Sequence, residues 1–311
     1  MSLIFHLFQN NYLPETVALW NASAADCHGF YPLTEDIFRR HVLWSPGFSP
    51  ERLIVAGYHG ALVGLLHYDI VDVFPYPRAG VISAVMVHPD YRQNGFAAAM
   101  LQEAVERLER QGVAMIDALG AWPYSSYYVG LIDGSERAGV DLRNSAAQWL
   151  FSRAGFRKRR PSLIMRAPIP PASALAEEPE LLARPSAELV YCQPRDGKTT
   201  WLDRAFRHWQ AFDHVLLNEH GRVLSNAIYA RMDGYSEYVG KEVYSVYGVN
   251  TPEFCRRQGY AAENLRRMQA RLASLGGQEM EIHTYADNFP AIRLYESVGF
   301  RKIGETVIMR R

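Results

Sequence analysis

The stretch NFPAIRLYESVGF, residues 288–300, decides how the rest of the chain is read, because it occurs twice. The other copy is NSAAQWLFSRAGF, residues 144–156. Asn288, Ala291, Leu294, Gly299 and Phe300 match Asn144, Ala147, Leu150, Gly155 and Phe156 at a constant offset of 144 residues (Asn144 to Asn288, Gly155 to Gly299). Phe151 stands where the later copy has Tyr295. The pattern predicts a short helix closed by a Gly-Phe turn, and its recurrence marks a duplicated module.

A second pair lies upstream in the same order. Arg92-Gln93-Asn94-Gly95-Phe96-Ala97 answers to Arg256-Arg257-Gln258-Gly259-Tyr260-Ala261. Each follows a β-rich run, AGVISAVMV at 79–87 and EVYSVYGV at 242–249. Each opens a long helical pattern ending in glycine, at 97–112 and 261–277. Leu265, Met268, Leu272 and Leu275 fall at helical spacing and predict one core-facing side. Strands are expected at 113–119 and 278–285, then the short helices, then terminal strands PSLIMRA (161–167) and ETVIMRR (305–311). Upstream in the second half, FDHVLLNEHGRVLSNAIYARM (212–232) reads as a hairpin turning at His220-Gly221. The expected fold class is mixed α/β (α+β): one module used twice, each a mostly antiparallel sheet flanked by helices. APIPPASALAEEPELLARP, residues 167–185, reads as a linker between domains at 1–166 and 186–311.

The bulk numbers agree and exclude several function classes. A chain of 311 residues suits two domains, and 48% hydrophobic with 21% charged residues describes a folded globular protein. The formal net charge is zero, so no overall field attracts nucleic acid or an anionic membrane, and neither is expected as a partner. An anionic ligand must be held by a local arrangement. No apolar run reaches membrane-spanning length, and MSLIFHLFQNNYLPE lacks the basic start of a signal peptide. Cys27, Cys192 and Cys255 are scattered and form no CxxC pair, which suggests a reduced, cytoplasmic protein without structural zinc. Ten histidines show no HxxxH or HExxH spacing, so no metal is expected, and His88 and His283 read as structural. The run Arg157-Lys158-Arg159-Arg160 reads as a solvated face.

The loops carry the chemistry. A helix N-terminus presents unpaired N–H groups and about half a positive charge, and a backbone that wraps a pyrophosphate needs glycine at closest approach. Gly95 and Gly259 meet that need, Ala97 and Ala261 keep the first turn slim, and the flanking arginines add charge. Strand, Arg/Gln-x-x-Gly-x-Gly/Ala loop, helix, strand, then Asn-x-x-Ala-x-x-Leu-Tyr-x-x-x-Gly-Phe is similar to the GNAT superfamily of acetyl-CoA-dependent N-acetyltransferases. The second copy, from Val249 and Pro252 to Arg256, Gly259, Tyr260 and Ala261, resembles the VxTPxxxRxxGYA variant of the loop. Specific motifs cover about 80–166 and 240–311; elsewhere the resemblance rests on element order alone.

The resemblance implies two tandem GNAT acyl-CoA N-acyltransferase modules with acetyl-CoA as cofactor. The pyrophosphate of coenzyme A would lie on the backbone of residues 92–97 (Arg92, Gln93, Asn94, Gly95, Phe96, Ala97) or 256–261 (Arg256, Arg257, Gln258, Gly259, Tyr260, Ala261). Its pantetheine arm would pair with Val85, Met86 and Val87 or with Tyr247, Gly248 and Val249, whose backbone would also polarise the thioester carbonyl. Asn144 and Asn288 would hold a pantetheine amide. Asn288 and Tyr295, seven residues apart, project from nearly one helix face, so the Tyr295 hydroxyl is placed to protonate the leaving thiolate. Phe151 has no proton to give. The C-terminal half is therefore favoured as catalytic and the N-terminal half as at least CoA-binding; the alternatives are a non-catalytic acyl-CoA sensor or an active N-terminal half. Glu242, at the start of the strand leading to the cofactor, is the candidate general base, with Glu237 and Asp287 as rivals. The acceptor is expected to be an amine of a small molecule or peptide. Gly95 and Asn144 stand 49 residues apart but Gly259 and Asn288 only 29, and the surplus falls mostly in 122–143. Tyr124, Tyr127, Tyr128, Asp133, Glu136 and Arg137 in that insertion suit a polar acceptor, or else packing against the other half.

Overall fold

The repeated motifs become repeated elements. A computed structural model describes residues 3–171, 188–192 and 212–311, apart from 28, 46, 73, 122, 125–127, 129–130 and 132–138. The first half begins with β1 (Ile4–Leu7), α1 (Leu13–Ala24) and the short α2 (Glu35–Phe38). An antiparallel run of β2 (Leu53–Tyr58), β3 (Ala61–Val71) and β4 (Ala79–Val87) follows. Then come α3 (Phe96–Arg110), β5 (Ile116–Ala118), β6 (Val140–Asp141), α4 (Ser145–Arg153) and β7 (Arg157–Pro168). The second half has β8 (Glu188–Cys192), β9 (Phe212–Glu219), β10 (Arg222–Arg231), α5 (Asp233–Val239) and β11 (Val243–Asn250). It closes with α6 (Tyr260–Ser274), β12 (Glu279–Tyr285), α7 (Phe289–Ser297) and β13 (Arg301–Arg310).

Local sequence explains the turns and helices. His220 and Gly221 both take positive φ (49° and 79°), which joins β9 to β10 by a turn whose twist matches the strands. His59 and Gly60 do the same between β2 and β3 (51° and 80°), a third repeated feature of the two halves. On α6, Leu265, Met268 and Leu272 are fully buried, each worth roughly 2 kcal/mol of apolar burial. Leu275 corrects the expected stripe: the helix ends at Ser274, and Leu275 lies 44% exposed. Arg157, Lys158, Arg159 and Arg160 are all exposed, the solvated face expected of them.

The two halves do not keep their sheets to themselves. The strand order is β1-β2-β3-β4-β5-β13-β7-β12-β11-β10-β9-β8, with β6 added against β13. The last strand of each half has crossed over: β13 lies against β5 of the first half, and β7 lies against β12 of the second. Val307 and Met309 of β13 join the core under α3 and α4. Leu163, Met165 and Ala167 of β7 join the core under α6 and α7. The two strands carry near-identical apolar patterns, so each fits the other's place.

The exchange brings two ion pairs with it. Arg166 of β7 stands directly opposite Glu281 of β12, at 2.5 Å, and Arg310 of β13 directly opposite Asp117 of β5, at 2.6 and 2.8 Å. The two arginines are 144 residues apart, the same offset as the motifs. Asp117 and Glu281 are 0% and 1% exposed, so each carboxylate depends on the other half for its counter-charge. Gly139 (φ 91°) lies beneath the crossed strand, where a Cβ would collide with the Val307 carbonyl. Gly139→Ala is expected to destabilise the chain by about 2 kcal/mol in urea unfolding, from strain and collision together.

Candidate active site

The two loops fold identically. Gln93 and Gly95 take left-handed φ (64° and 78°), and Arg257 and Gly259 repeat it (64° and 84°). Each loop thus delivers the chain, through two left-handed residues that follow an extended arginine, to a helix N-terminus, whose unpaired N–H groups suit an anion. Nothing lies within 4 Å of a Cβ built at either glycine, so the requirement is conformational rather than spatial. Arg92 and Arg256 each send Nε back to a carbonyl five residues earlier, Val87 O at 3.2 Å and Thr251 O at 3.1 Å. Arg92 also pairs with Asp26 at 2.5 Å, and the pair holds the Asp26 carboxyl below its usual range. Part of the charge expected to face a phosphate is thus used to close the loop. Asn94 and Gln258 likewise bond to loop carbonyls, of Tyr91 and Phe254.

Each loop stands beside a parting of strands. β4 and β5 run parallel and pair from Gly80–Ile116 to Ile82–Ala118; β11 and β12 pair from Val243–Glu279 to Val246–Ile282. Beyond those points β4 continues to Val87 and β11 to Asn250 without that partner, which frees one backbone edge at Val85–Val87 and at Tyr247–Val249. Gly248 (φ 54°) sits at a register shift against β10, its carbonyl held by Asn226 Nδ2 at 3.0 Å.

In the first half the parting opens into a cleft of about 440 Å³. Val85, Met86 and Val87 form one wall, Arg92, Gln93, Gly95, Phe96 and Ala97 the loop end, and Asn144 and Phe151 of the α4 segment the far side. Leu119 lies at its base, and Ser23, Cys27 and Phe30 close it from the α1 side. Asn144 caps α4 by accepting from the Ala147 N–H at 2.9 Å. On the sheet's other face, Tyr128 of the insertion is fully buried with Leu131 among Trp20, Phe38 and Met86. Its ring lies 5.1 Å from that of Trp20, and its hydroxyl 2.9 Å from His67 Nδ1. Burial pushes His67 down to about 4, so it is neutral at physiological pH. Tyr124 packs against Val71, Ala79 and Val81 and donates to the Pro77 carbonyl. Tyr127, Asp133, Glu136 and Arg137 lie outside the described residues.

In the second half, Asn288 heads α7 and donates to Thr284 Oγ1 at 3.3 Å. Tyr295 is 6% exposed, its ring 5.8 Å from Phe300, as the Phe151 ring is 5.1 Å from Phe156. Glu242 is not placed to act as the base. It precedes β11, five residues (about 16 Å at 3.3 Å per residue) short of Tyr247. Both its oxygens are taken by Arg231, at 2.7 and 2.9 Å, and that pairing holds its carboxyl below the usual range, which weakens it as a proton acceptor. Asp287 is exposed and tied to Arg160, and Glu237 is exposed on α5.

Known proteins resemble the chain in sequence or in fold. The chain is 28% identical to a mycothiol acetyltransferase of Acidothermus cellulolyticus over 96% of its own length and 91% of that protein's. Its fold matches a tandem GNAT protein from the clavulanic acid biosynthesis pathway (TM-score 0.68, 13% identity, 100% of this chain and 98% of that one). It also matches a glucosamine N-acetyltransferase region of a fungal multi-domain β-N-acetylglucosaminidase, covering 38% of that larger chain (TM-score 0.72, 17% identity, all of this chain). The acetyltransferase (GNAT) family model matches at residues 14–123 and again at 182–300, and the chain belongs to that family as a tandem member.

Proposed function

We propose that the chain is an acetyl-CoA-dependent N-acetyltransferase that moves acetyl directly to an amine of a small molecule or peptide. The second half is the catalyst, and the first half binds coenzyme A. The observation that carries this reading is the contrast between two matching partings. Both have the loop, the free strand edge and the asparagine-led helix, but the second has Tyr295 where the first has Phe151. In the first half, moreover, Tyr128 and Leu131 of the insertion pack into the sheet face toward α1 and α2, among Trp20, Phe38 and Met86. Coenzyme A, when bound, supplies the acetyl thioester; Gly259 and its neighbours would hold the pyrophosphate and the Tyr247–Val249 edge the pantetheine. An amine acceptor is in keeping with the names of a relative, a mycothiol acetyltransferase, and of a protein of similar fold, a glucosamine N-acetyltransferase region. Cys27 and Cys255 form no disulfide among the described residues, in keeping with a reducing, cytoplasmic setting.

Calorimetric titration with acetyl-CoA and thiol release with a panel of amines test this. Two sites are expected. Gly259→Val forces a β-branched residue into a left-handed conformation and is expected to lower affinity at one site, and turnover below saturation, by about 10- to 100-fold. Gly95→Val is expected to weaken the other site and leave turnover in place. The reverse pattern would move catalysis to the first half, and no binding at either loop would overturn the reading.

A further inference from the structure

In the second half the next residue of β12 beyond the last pair with β11 is His283. Its first-half counterpart by register is Leu119, one past the Ile82–Ala118 pair, and Leu119 lines the base of the first cleft. Ile282 faces the core beneath α6 and α7, so the alternation of a strand turns His283 and Glu281 to the opposite face, the side of α5. The imidazole is buried, its side chain 2% exposed, and neither ring nitrogen has a hydrogen-bond partner among the described residues. Nε2 stands 3.4 Å from Glu281 Oε1, which leaves Nδ1 uncommitted. A buried imidazole with an open nitrogen, at the strand parting proposed above to receive the thioester, calls for a partner that the chain itself does not supply among the described residues.

We propose that His283 is the general base of the second half, oriented by Glu281, which is in turn positioned by Arg166 from the first half's exchanged strand. The assignment rests on the proposed function. A neutral acceptor amine attacks the thioester carbonyl carbon; the new C–N bond forms, the C–S bond breaks, and one N–H proton passes to His283 Nδ1. The departing thiolate takes the Tyr295 hydroxyl proton, and solvent returns a proton from imidazolium to tyrosinate, so the protein is restored. Tyr295 belongs to the α7 side and His283 to the α5 side, so the two proton carriers flank the strand gap from opposite faces. The groups facing the imidazole are Glu281 on its own strand and, through it, Arg166 of β7, which also touches Glu279 and the Tyr235 hydroxyl of α5. Burial raises the Glu281 pKa, but His283 and Arg166 outweigh it and keep the carboxyl ionised.

The full chain, acetyl-CoA and an amine that the panel shows to be acetylated give the test. His283→Gln is expected to lower kcat about 100-fold or more, to abolish the acid limb of the pH–rate profile and to leave acetyl-CoA affinity unchanged. Arg166→Met should lose less activity but move the acid limb to higher pH, because the Glu281 charge is then neutralised by the imidazole alone. Arg310→Met, the mirror substitution in the first half, should leave the profile in place. Because a buried substitution can block folding, the His283 imidazole resonance of the unsubstituted chain is a second readout: it should shift on saturation with coenzyme A, still shift in Gly95→Val, and stay put in Gly259→Val. A resonance indifferent to coenzyme A, or a His283→Gln enzyme with full kcat and its acid limb, overturns the base assignment alone. A chain that binds coenzyme A but acetylates no amine overturns the proposed function, and the base with it.

Discussion

Tyr295→Phe is expected to lower kcat about 100-fold or more with no change in acetyl-CoA affinity, while Phe151→Tyr in the first half gains nothing. The substitution removes one oxygen and keeps the ring. Phenylalanine already serves in the matching first-half position, where Phe151 is 1% exposed and packs on Phe156, so the fold should lose little by the exchange. What disappears is the hydroxyl proposed as proton donor, and on that reading the thiolate must then leave unprotonated or wait for water. The loss should therefore sit in kcat rather than in binding, and steady-state kinetics beside calorimetry separate the two. Phe151→Tyr supplies a hydroxyl to a half whose sheet face toward α1 and α2 holds Tyr128 and whose β5 runs on into Leu119, so no new turnover is expected. An unchanged kcat in Tyr295→Phe would return this residue to a purely packing role.

Most of the architecture was legible because it was written twice. A single Arg-x-x-Gly-x-Ala run says little, but two copies, each between a β-rich run and a long amphipathic pattern and each followed by the Asn-to-Phe motif, fix element order and the place of the cleft. The Asn144 and Gly95 segments, 49 residues apart, do line one cleft. The proposed base was less legible. A strand-end glutamate such as Glu242 looks available in sequence, and only the fold shows Arg231 closing on it. His283 read as structural because one histidine on a strand carries no pattern; its contrast with Leu119 appears only once the strand register is known. The strand exchange was invisible for a related reason. Ile164-Met165-Arg166 and Ile308-Met309-Arg310 are the same tripeptide at the same offset, so hydrophobic pattern gives each strand no preference for its own half. The repeated arginine was the available signal, since a charge at a fixed place in the apolar end of two strands implies a buried partner.

That arginine carries the other large expectation: Arg166→Met and Arg310→Met should each destabilise the chain by about 3–5 kcal/mol. Each leaves a carboxylate buried without its main counter-charge, and because the counter-charge comes from the other half, the loss is felt across the whole sheet. Urea unfolding of either variant should show one transition at a lower midpoint. Two transitions with only one displaced would mean that the exchanged strands do not bind the halves into one cooperative unit. The pH dependence distinguishes the charge effect from simple loss of packing. The folded-state pKa of Glu281 lies below its unfolded value near 4.3, so its contribution is present above that value and is lost as pH falls through the folded pKa. In Arg166→Met burial opposes the charge with only His283 against it, and the Glu281 pKa rises. Protonation then relieves an unpaired charge, and the deficit relative to the unsubstituted chain should shrink from pH 7 to pH 4. A deficit that is constant over that range would assign the loss to the arginine's aliphatic stem and its contact with Tyr235 rather than to the ion pair.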